Sequence, residues 1–419
     1  MNQASSEHIT RNPWASRDQL APIPKLQLIL AAAICFLCSV CIPFCNNGFV
    51  ALSVLAILFA YVALVGRNPI TVSLILISTV LCVVLASVAG LGLAVGSVLL
   101  SCVVGCMTGA FLMTVCRRAF WVPLLPIAGA VIAFALDRQP LVALSALAFL
   151  PAAILLAVAT LRGSRRTAAI CCAEGGLLLS VLAVAAVLVW RTQGRLDITA
   201  IRASIEALRE GFAGAIETIR EQNLAIMAEA GAANMPAEWT DRVNTLYSRD
   251  TALQMFSVLP AVIAFVCGIM AFESQSLLNA AYRTAGLKSV LTPNACIFTM
   301  SLTAAILYTL SFVLMIFLSP SSVVGAVAQN LSIILMPGLC VIGVQSLLVS
   351  IARARGGMRI FLIVIAVMLF CCSGAAFYMI AMWGAYGIVM LTMQKSMVER
   401  IVRNGQNRDD SSDDSDRQD

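Results

Sequence analysis

The fold is decided by an uncharged stretch about a quarter of the way along the chain: residues 91–115 read LGLAVGSVLLSCVVGCMTGAFLMTV. As a helix this stretch would extend about 37 Å, enough to cross the roughly 30 Å hydrocarbon core of a bilayer. Ser97, Ser101, Gly105 and Gly109 recur at every fourth position, and such a row of small residues lets a second helix approach closely. Residues 91–115 therefore predict a membrane-spanning helix that packs inside a bundle.

The rest of the chain has the same character. Of its 419 residues, 60% are hydrophobic and 11% are charged, against roughly 45–50% and 25% in soluble domains. Residues 26–66, 68–116 and 290–352 contain no Asp, Glu, Lys or Arg. This composition excludes a water-soluble globular protein and predicts an all-α, polytopic transmembrane helix bundle.

Apolar runs of roughly 18–25 residues are long enough to cross the bilayer as helices. They predict spans near 26–43, 48–65, 70–88, 91–115, 119–136, 140–161, 167–190, 251–272, 290–318 and 323–352. The last apolar stretch, Ile360–Gln394, is long for one crossing and short for two. The chain is therefore expected to have 10–12 spans. A hairpin, giving twelve, is favoured because Lys395 and Arg400 prefer the inner side, and eleven is the alternative.

Positive charge in the short connections predicts the orientation, because Lys and Arg are retained on the cytoplasmic side. With the N-terminus inside, the outer short connections carry only Arg138, next to Asp137. We expect a multi-pass protein of the inner cell membrane with a cytoplasmic N-terminus. The bases of the inner connections are Arg67, Arg117, Arg118, Arg162, Arg165, Arg166, Arg283, Lys288, Arg353, Arg355 and Arg359.

The predicted organisation has five parts. They are a cytoplasmic tail (1–25), an N-terminal bundle of about seven spans (26–190), an extramembrane insert (191–250), a C-terminal bundle (251–403) and a disordered acidic tail (404–419).

The extramembrane insert contains apolar residues at steps of three and four, which predict an amphipathic helix on the outer side. One interpretation is a coiled-coil or interfacial arm that recognises a partner or the membrane surface. The other is a helix packed across the outer ends of the bundle. The apolar residues are Ile198, Ile201, Ile205, Leu208, Phe212, Ile216 and Ile219.

Few residues of the sequence are candidates for a substrate-binding site. Glu174 lies well inside a predicted span, where a carboxylate is costly and faces either a cavity or a nearby arginine. Gln329 and Asn330 also fall in a span, where amides join helices or line a substrate path. These three are the substrate-binding candidates.

The glycines of residues 91–115 are candidates for helix packing: Gly92, Gly96, Gly105 and Gly109. Packing within one protomer is the favoured interpretation. Dimerisation, or docking of another membrane subunit, is the alternative.

Catalytic and metal chemistry find little support. The chain has one His and no G-x4-G-K-[ST] phosphate loop. Cys35, Cys38, Cys41 and Cys45 have iron–sulfur spacing, but the first three lie in a predicted span whose backbone amides are needed within the helix. We predict no metal, no cofactor, no enzymatic activity and no nucleic-acid partner.

Short motifs in the C-terminal half give a resemblance. The chain resembles the YybS-type family of bacterial predicted membrane proteins of unknown function, over roughly residues 250–400. Those proteins are distantly similar to the substrate-binding membrane subunits of energy-coupling-factor vitamin transporters. The resemblance implies a small-molecule-binding core in the N-terminal half. The motifs are Leu259-Pro260-Ala261-Val262, Leu278-Asn279, Tyr282-Arg283, Gln329-Asn330-Leu331, Gly338-Leu339, Gln345-Ser346-Leu347-Leu348, Trp383-Gly384-Ala385-Tyr386-Gly387 and Arg400.

The function expected from these features is small-molecule binding or transport. One form is a substrate-capture subunit that relies on other membrane subunits or an external ATPase. The alternative is a scaffold for cell-envelope assembly or regulation, without transport activity. The sequence names no substrate.

Overall fold

The computed structural model describes residues 25–66, 69–87, 92–116, 119–229, 247–286, 300–319, 322–360 and 377–394, with the single positions 241, 244, 245, 362, 364 and 396. Over these residues the chain forms α-helices and two short 3-10 turns, and no β-strand. The predicted all-α fold class is confirmed. The helices are α1 (Lys25–Cys41), α2 (Gly48–Gly66), α3 (Pro69–Ser87), α4 (Gly92–Val115), α5 (Leu124–Asp137), α6 (Pro140–Ala146), α7 (Leu150–Leu161), α8 (Arg166–Gln193), α9 (Ile198–Glu229), α10 (Arg249–Thr284), α11 (Leu302–Phe317), α12 (Val323–Arg353) and α13 (Phe377–Gln394).

Within the described ranges, eight helical segments are long and apolar enough to cross a membrane, which confirms a polytopic bundle. Two more apolar helices, α5 and α11, are shorter. The count of twelve spans stays a prediction, because the start of the 290–318 span, much of Ile360–Gln394 and both tails lie outside the described residues. The eight segments are Lys25–Phe44, Gly48–Val65, Gly92–Val115, Pro140–Leu161, Arg166–Gln193, Arg249–Thr284, Val323–Arg353 and Phe377–Gln394.

The chain divides into two compact units. Unit 1 consists of Met1–Gly211 and Val266–Phe298, and unit 2 of Phe212–Phe265 and Thr299–Asp419. Both α9 and α10 begin in one unit and end in the other. The division thus passes through helices, and the five-part organisation predicted from sequence stays a prediction about topology.

Unit 1 is built around α4. This helix is apolar on every side and rich in Gly, Ser, Ala and Cys, so neighbours can approach from all directions. Most of its residues are buried, and α1, α2, α3 and α7 pack against it. The stretch that predicts a bundle helix is therefore the centre of one.

The predicted span 140–161 is broken into α6 and α7. Pro151 has no N–H to donate to the carbonyl of Leu147 and its ring would clash there, so the chain turns between Ala146 and Leu150. The hydroxyl of Ser39 lies 2.9 Å from the carbonyl oxygen of Ala146 and can satisfy it. The ring of Phe149, fully buried, fills the turn.

Contacts at the helix ends agree with the predicted alternation of the spans. At one end of unit 1 the hydroxyl of Thr284 donates to the carbonyl of Val65 (3.0 Å), and Tyr282 and Thr114 share a hydrogen bond of 2.5 Å. All four residues lie at ends that the charge rule places inside. Arg191 and Gln139, at predicted outer ends, are joined at 3.3 Å. Which end faces the cytoplasm stays a prediction.

Unit 2 contains a close helix crossing between α12 and α13. A Cβ added at Gly384 would fall on the carbonyl oxygen of Leu339 and 2.9 Å from the amide nitrogen of Gly343. A Cβ at Gly343 would in turn fall on the carbonyl oxygen of Ile380. The two backbones touch because both positions lack a side chain, the arrangement that small residues permit in membranes.

Candidate functional site

Glu174 lies in the third turn of α8, on the side that faces α10. Its side chain is half-buried, and its carboxylate packs against Gly268, where an added Cβ would be 3.6 Å from the carboxylate carbon and from Oε1. At that separation an added Cβ at position 268 would make an ordinary van der Waals contact with the carboxylate. Cys267, buried on α10, is within electrostatic range of it.

The Glu174 carboxylate has no polar partner among the described residues. Over the described residues, Glu174 forms neither a hydrogen bond nor an ion pair. The sequence left open whether Glu174 pairs with a nearby arginine, and no such pair occurs within these residues. A carboxylate without a partner inside a span is unfavourable, so this position is the strongest candidate for binding a ligand.

Arg166, at the first turn of α8, contacts α10 instead. Its Nε donates to Gln275 Oε1 (3.1 Å), its Nη2 donates to the hydroxyl of Ser276 (3.0 Å), and its guanidinium lies 4.9 Å from the centre of the Phe272 ring. Arg166 lies opposite Gln275, and Glu174 lies opposite Gly268. These two pairs show that α8 and α10 run antiparallel. The backbone positions of Arg166 and Glu174 are about 12 Å apart along α8.

Glu273 is a second carboxylate inside unit 1, and the sequence places it at the inner end of the eighth predicted span. That span is predicted to end near residue 272, but α10 continues to Thr284 and Glu273 is only 4% exposed. The hydroxyl of Ser78, on α3, donates to its Oε1. Ser78 is far away in sequence, so only the fold could reveal this pair.

The Glu174 carboxylate, which belongs to α8, and the Glu273 carboxylate lie on different sides of α10. Gly268 and Gln275 are seven residues apart and both face α8, whereas Glu273 is rotated by about 140° from Gly268, at 100° per residue. Glu273 accordingly meets α3, and its hydroxyl partner makes it part of the packed interior. Of these two carboxylates, Glu174 is the one without a hydrogen bond or ion pair over the described residues.

Asn330, on α12, bonds to the turn of α10 that contains Pro260. Pro260 lies inside that helix and has no N–H for the carbonyl of Phe256, and the Asn330 side chain bonds to the next pair of backbone groups, those of Ala261 and Ser257. Its Oδ1 accepts from the amide of Ala261 (3.1 Å), and its Nδ2 donates to the carbonyl of Ser257 (2.8 Å). These bonds use the amide for helix joining rather than for a ligand.

The side chain of Gln329, the residue before Asn330, has different hydrogen bonding. Its Oε1 is buried and has no hydrogen-bond partner within the described chain. Gln329 and Asn330 belong to unit 2 and Glu174 to unit 1. The three predicted substrate-binding residues are therefore not described as one site.

The four packing glycines of α4 face other helices of the same chain where their surroundings are described. A Cβ added at Gly96 would fall on the side chain of Val83 on α3. A Cβ added at Gly105 would lie 2.9 Å from the Phe149 ring, and one added at Gly109 would lie 3.1 Å from the Cβ of Ala153 on α7. Gly92 is buried at the start of the helix. These contacts favour packing within the protomer over dimerisation.

The spacing of cysteines near the N-terminus does not form a metal site within the described residues. α1 runs as one helix through Cys35 and Cys38, both buried. Across all described parts of the chain, no three His, Cys, Asp or Glu side chains are arranged to hold a metal ion.

The family comparison matches residues 106–386, which include Glu174, Gln329 and Asn330, with the family described as "Predicted membrane protein (DUF2232)". The chain belongs to this family. Comparison with curated proteins and with solved structures finds no match. The DUF2232 description covers both units and agrees with the membrane-spanning helices, and it names no ligand or reaction.

Proposed function

We propose that this DUF2232 protein binds a small, positively charged solute within unit 1 and moves it across the membrane, with Glu174 as the carboxylate that receives the charge. The observation that carries the proposal is the position of Glu174: inside a span, half-buried, opposite Gly268, and without an ion pair or hydrogen bond over the described residues. An ionisable side chain placed inside a span at such a cost marks a ligand or ion pathway. A cationic group is the ligand chemistry that would neutralise it.

The small-residue packing around α4 supports this assignment to unit 1. α7 packs against both α4 and α8, and the hydroxyl of Ser274 on α10 donates to the carbonyl of Val103 on α4 (3.2 Å), so the helices that carry Glu174 and Gly268 are joined to α4.

A capture subunit is one form of the proposed function. The YybS-type family that the C-terminal half resembles is distantly similar to the substrate-binding membrane subunits of energy-coupling-factor transporters, which supports this form, and so does the absence of a phosphate loop from the sequence. In this form other membrane subunits and an external ATPase supply the energy. The protein would act in the inner cell membrane, with a cytoplasmic N-terminus and without enzymatic activity.

A panel of small organic cations tests the proposal by thermal stabilisation of the purified protein in lipid nanodiscs. A solute at 100 times its dissociation constant stabilises the bound state by about 2.7 kcal/mol. We expect at least one cation to raise the unfolding temperature of the wild type and to lose this effect in Glu174→Gln.

Glu206→Gln is the matched control, because Glu206 is the same residue type on the exposed face of α9. It should respond as the wild type does. Stabilisation that persists in Glu174→Gln, or that no cation produces in the wild type, would contradict the proposal.

The scaffold function is the second candidate. The exposed apolar face at the start of α9 is the feature that would receive a protein partner. Identifying what covers that face therefore tests the scaffold function against the transport function.

A further inference from the structure

The first half of α9, residues 198–211, has an apolar face that the described chain leaves open. Ile198 is 78% exposed, Ile201 42%, Ile205 52% and Leu208 59%. At 100° per residue these four side chains fall within an arc of about 80°. An uncovered stripe of this kind marks an interaction surface.

The second half of the same helix contrasts with it. In unit 2 the ring of Phe212 packs against Phe256, with ring centres 5.9 Å apart, and Ile216 and Ile219 are half-buried. One apolar stripe is thus covered by the chain where it belongs to unit 2 and uncovered where it belongs to unit 1.

The open stripe starts at the level of the membrane interface. Trp190, 57% exposed, stands in the last turn of the spanning helix α8, and such amphipathic rings settle at the headgroup level. Beside it Arg191 bonds to Gln139, at the junction of α5 and α6. Only residues 194–197 separate α8 from α9, so Ile198 lies at most roughly 15–18 Å from the end of α8.

Exposed apolar side chains also precede the stripe. Leu182 and Leu188 on α8 are exposed, and so is Leu196 in the connection. The span, the connection and the start of α9 thus each present apolar side chains on their surface.

The polar side of α9 fits water above a bilayer. Glu206 and Arg209 pair at 3.4 Å and Glu217 and Arg220 at 3.3 Å, so charges of both signs satisfy one another. A helix that bound anionic headgroups would be dominated by Lys and Arg. The open stripe covers about three turns, which is shorter than the three to four heptads that indicate a coiled coil with a second copy.

We infer that residues 198–211 form an interfacial helix, lying on the outer surface of the bilayer with Ile198, Ile201, Ile205 and Leu208 in the acyl region. Apolar burial holds it there without a requirement for anionic lipid. The helix anchors the outer end of α8, the span that carries Glu174. This inference concerns a different surface from the proposed ligand site and stands without it.

Photocrosslinking of the full chain in its native membrane tests the inference. The photoreactive residue p-benzoylphenylalanine is placed at Ile205, in the middle of the stripe, and at Ala203, which is exposed on the opposite side of the helix. Leu208 and Ala207 form a second pair of the same design. Each variant is accepted only if it elutes as the wild type does.

After irradiation, mass spectrometry separates lipid adducts from protein adducts. We expect lipid adducts at Ile205 to exceed those at Ala203 by about fivefold or more, with the same ratio at Leu208 and Ala207, since an interfacial helix buries one face only. Equal lipid labelling of both faces, or no labelling at Ile205, would overturn the inference. A crosslinked dimer would show a second copy on the face, and an adduct with another protein would show the partner that the scaffold function requires; either also overturns it.

Discussion

Two polar residues inside spans, one in each unit, are used in opposite ways. In unit 2, the amide of Asn330 is fully engaged with the backbone of α10 beside Pro260, and α12 and α13 touch backbone to backbone at Gly343 and Gly384. In unit 1, α8 holds the Glu174 carboxylate against a glycine with no partner over the described residues. The difference teaches that a polar residue inside a span is a site candidate only when the fold has not already used its hydrogen bonds.

The largest expected effect tests how tightly unit 2 is packed. In Gly384→Ala the new Cβ would fall on the backbone of α12, which cannot move aside as a side chain can. We expect a loss of about 3 kcal/mol of stability, at the upper end of overpacking costs. The measurement is the fraction of detergent-solubilised protein that still elutes as a single species after heating to a series of temperatures.

Gly175→Ala is the control for this substitution, because Gly175 is also inside a helix but has nothing within 4 Å of an added Cβ. It should be neutral, or stabilising by up to about 1 kcal/mol through helix propensity. Equal melting of the two variants would mean that the Gly343–Gly384 crossing is looser than described.

The next effect concerns Asn330. Asn330→Leu leaves the amide of Ala261 and the carbonyl of Ser257 without the partner they have now, at a cost of about 2 kcal/mol. Adding Pro260→Ala allows α10 to close as an ordinary helix, so the two changes should be coupled by about 1 kcal/mol in a double-mutant cycle. The same heating assay measures it.

Gln329→Leu provides the neighbouring comparison. Because Gln329 Oε1 is buried without a hydrogen bond in the described chain, its replacement should cost little or nothing. A loss as large as that of Asn330→Leu would mean that Gln329 has a role that its described contacts do not explain.

These residues also indicate what sequence alone can reveal. The uncharged stretch 91–115 predicts α4 within one residue, because helix length and small-residue spacing are local properties. The break between α6 and α7 also has a local cause, because Pro151 cannot donate a hydrogen bond within a continuous helix. The burial of Glu273 under Ser78 and the bond from Asn330 to Ala261 depend on residues far apart in sequence, so no pattern along the chain contains them.

The smallest effect is at the start of α9, outside the spans. Asp197 caps this helix, and its Oδ1 accepts hydrogen bonds from the hydroxyl of Thr199 (2.6 Å) and the amide of Ala200 (2.7 Å). The Thr199 hydroxyl, followed by the Ala200 amide, lowers the pKa of Asp197 below its ordinary value. The cap is therefore complete above the pKa of about 3.9 of an unfolded Asp and is lost as the pH falls through the lower folded pKa.

Hydrogen exchange of the Ala200 amide measures the cap. We expect faster exchange in Asp197→Ala at neutral pH, and near-normal exchange in Asp197→Asn, which keeps an acceptor. Exchange in Asp197→Ala that matches the wild type would show that the first turn does not depend on the cap.

The central claim is that Glu174, unlike Glu273, is open to a ligand inside the membrane. Dicyclohexylcarbodiimide, which enters membranes and modifies carboxyl groups there, tests this in the intact protein without knowledge of the substrate. We predict that mass spectrometry finds Glu174 modified, that Glu273, 4% exposed and bonded to Ser78, stays unmodified, and that a stabilising cation protects Glu174. An unmodified Glu174, or modification of Glu273 in its place, would contradict the account.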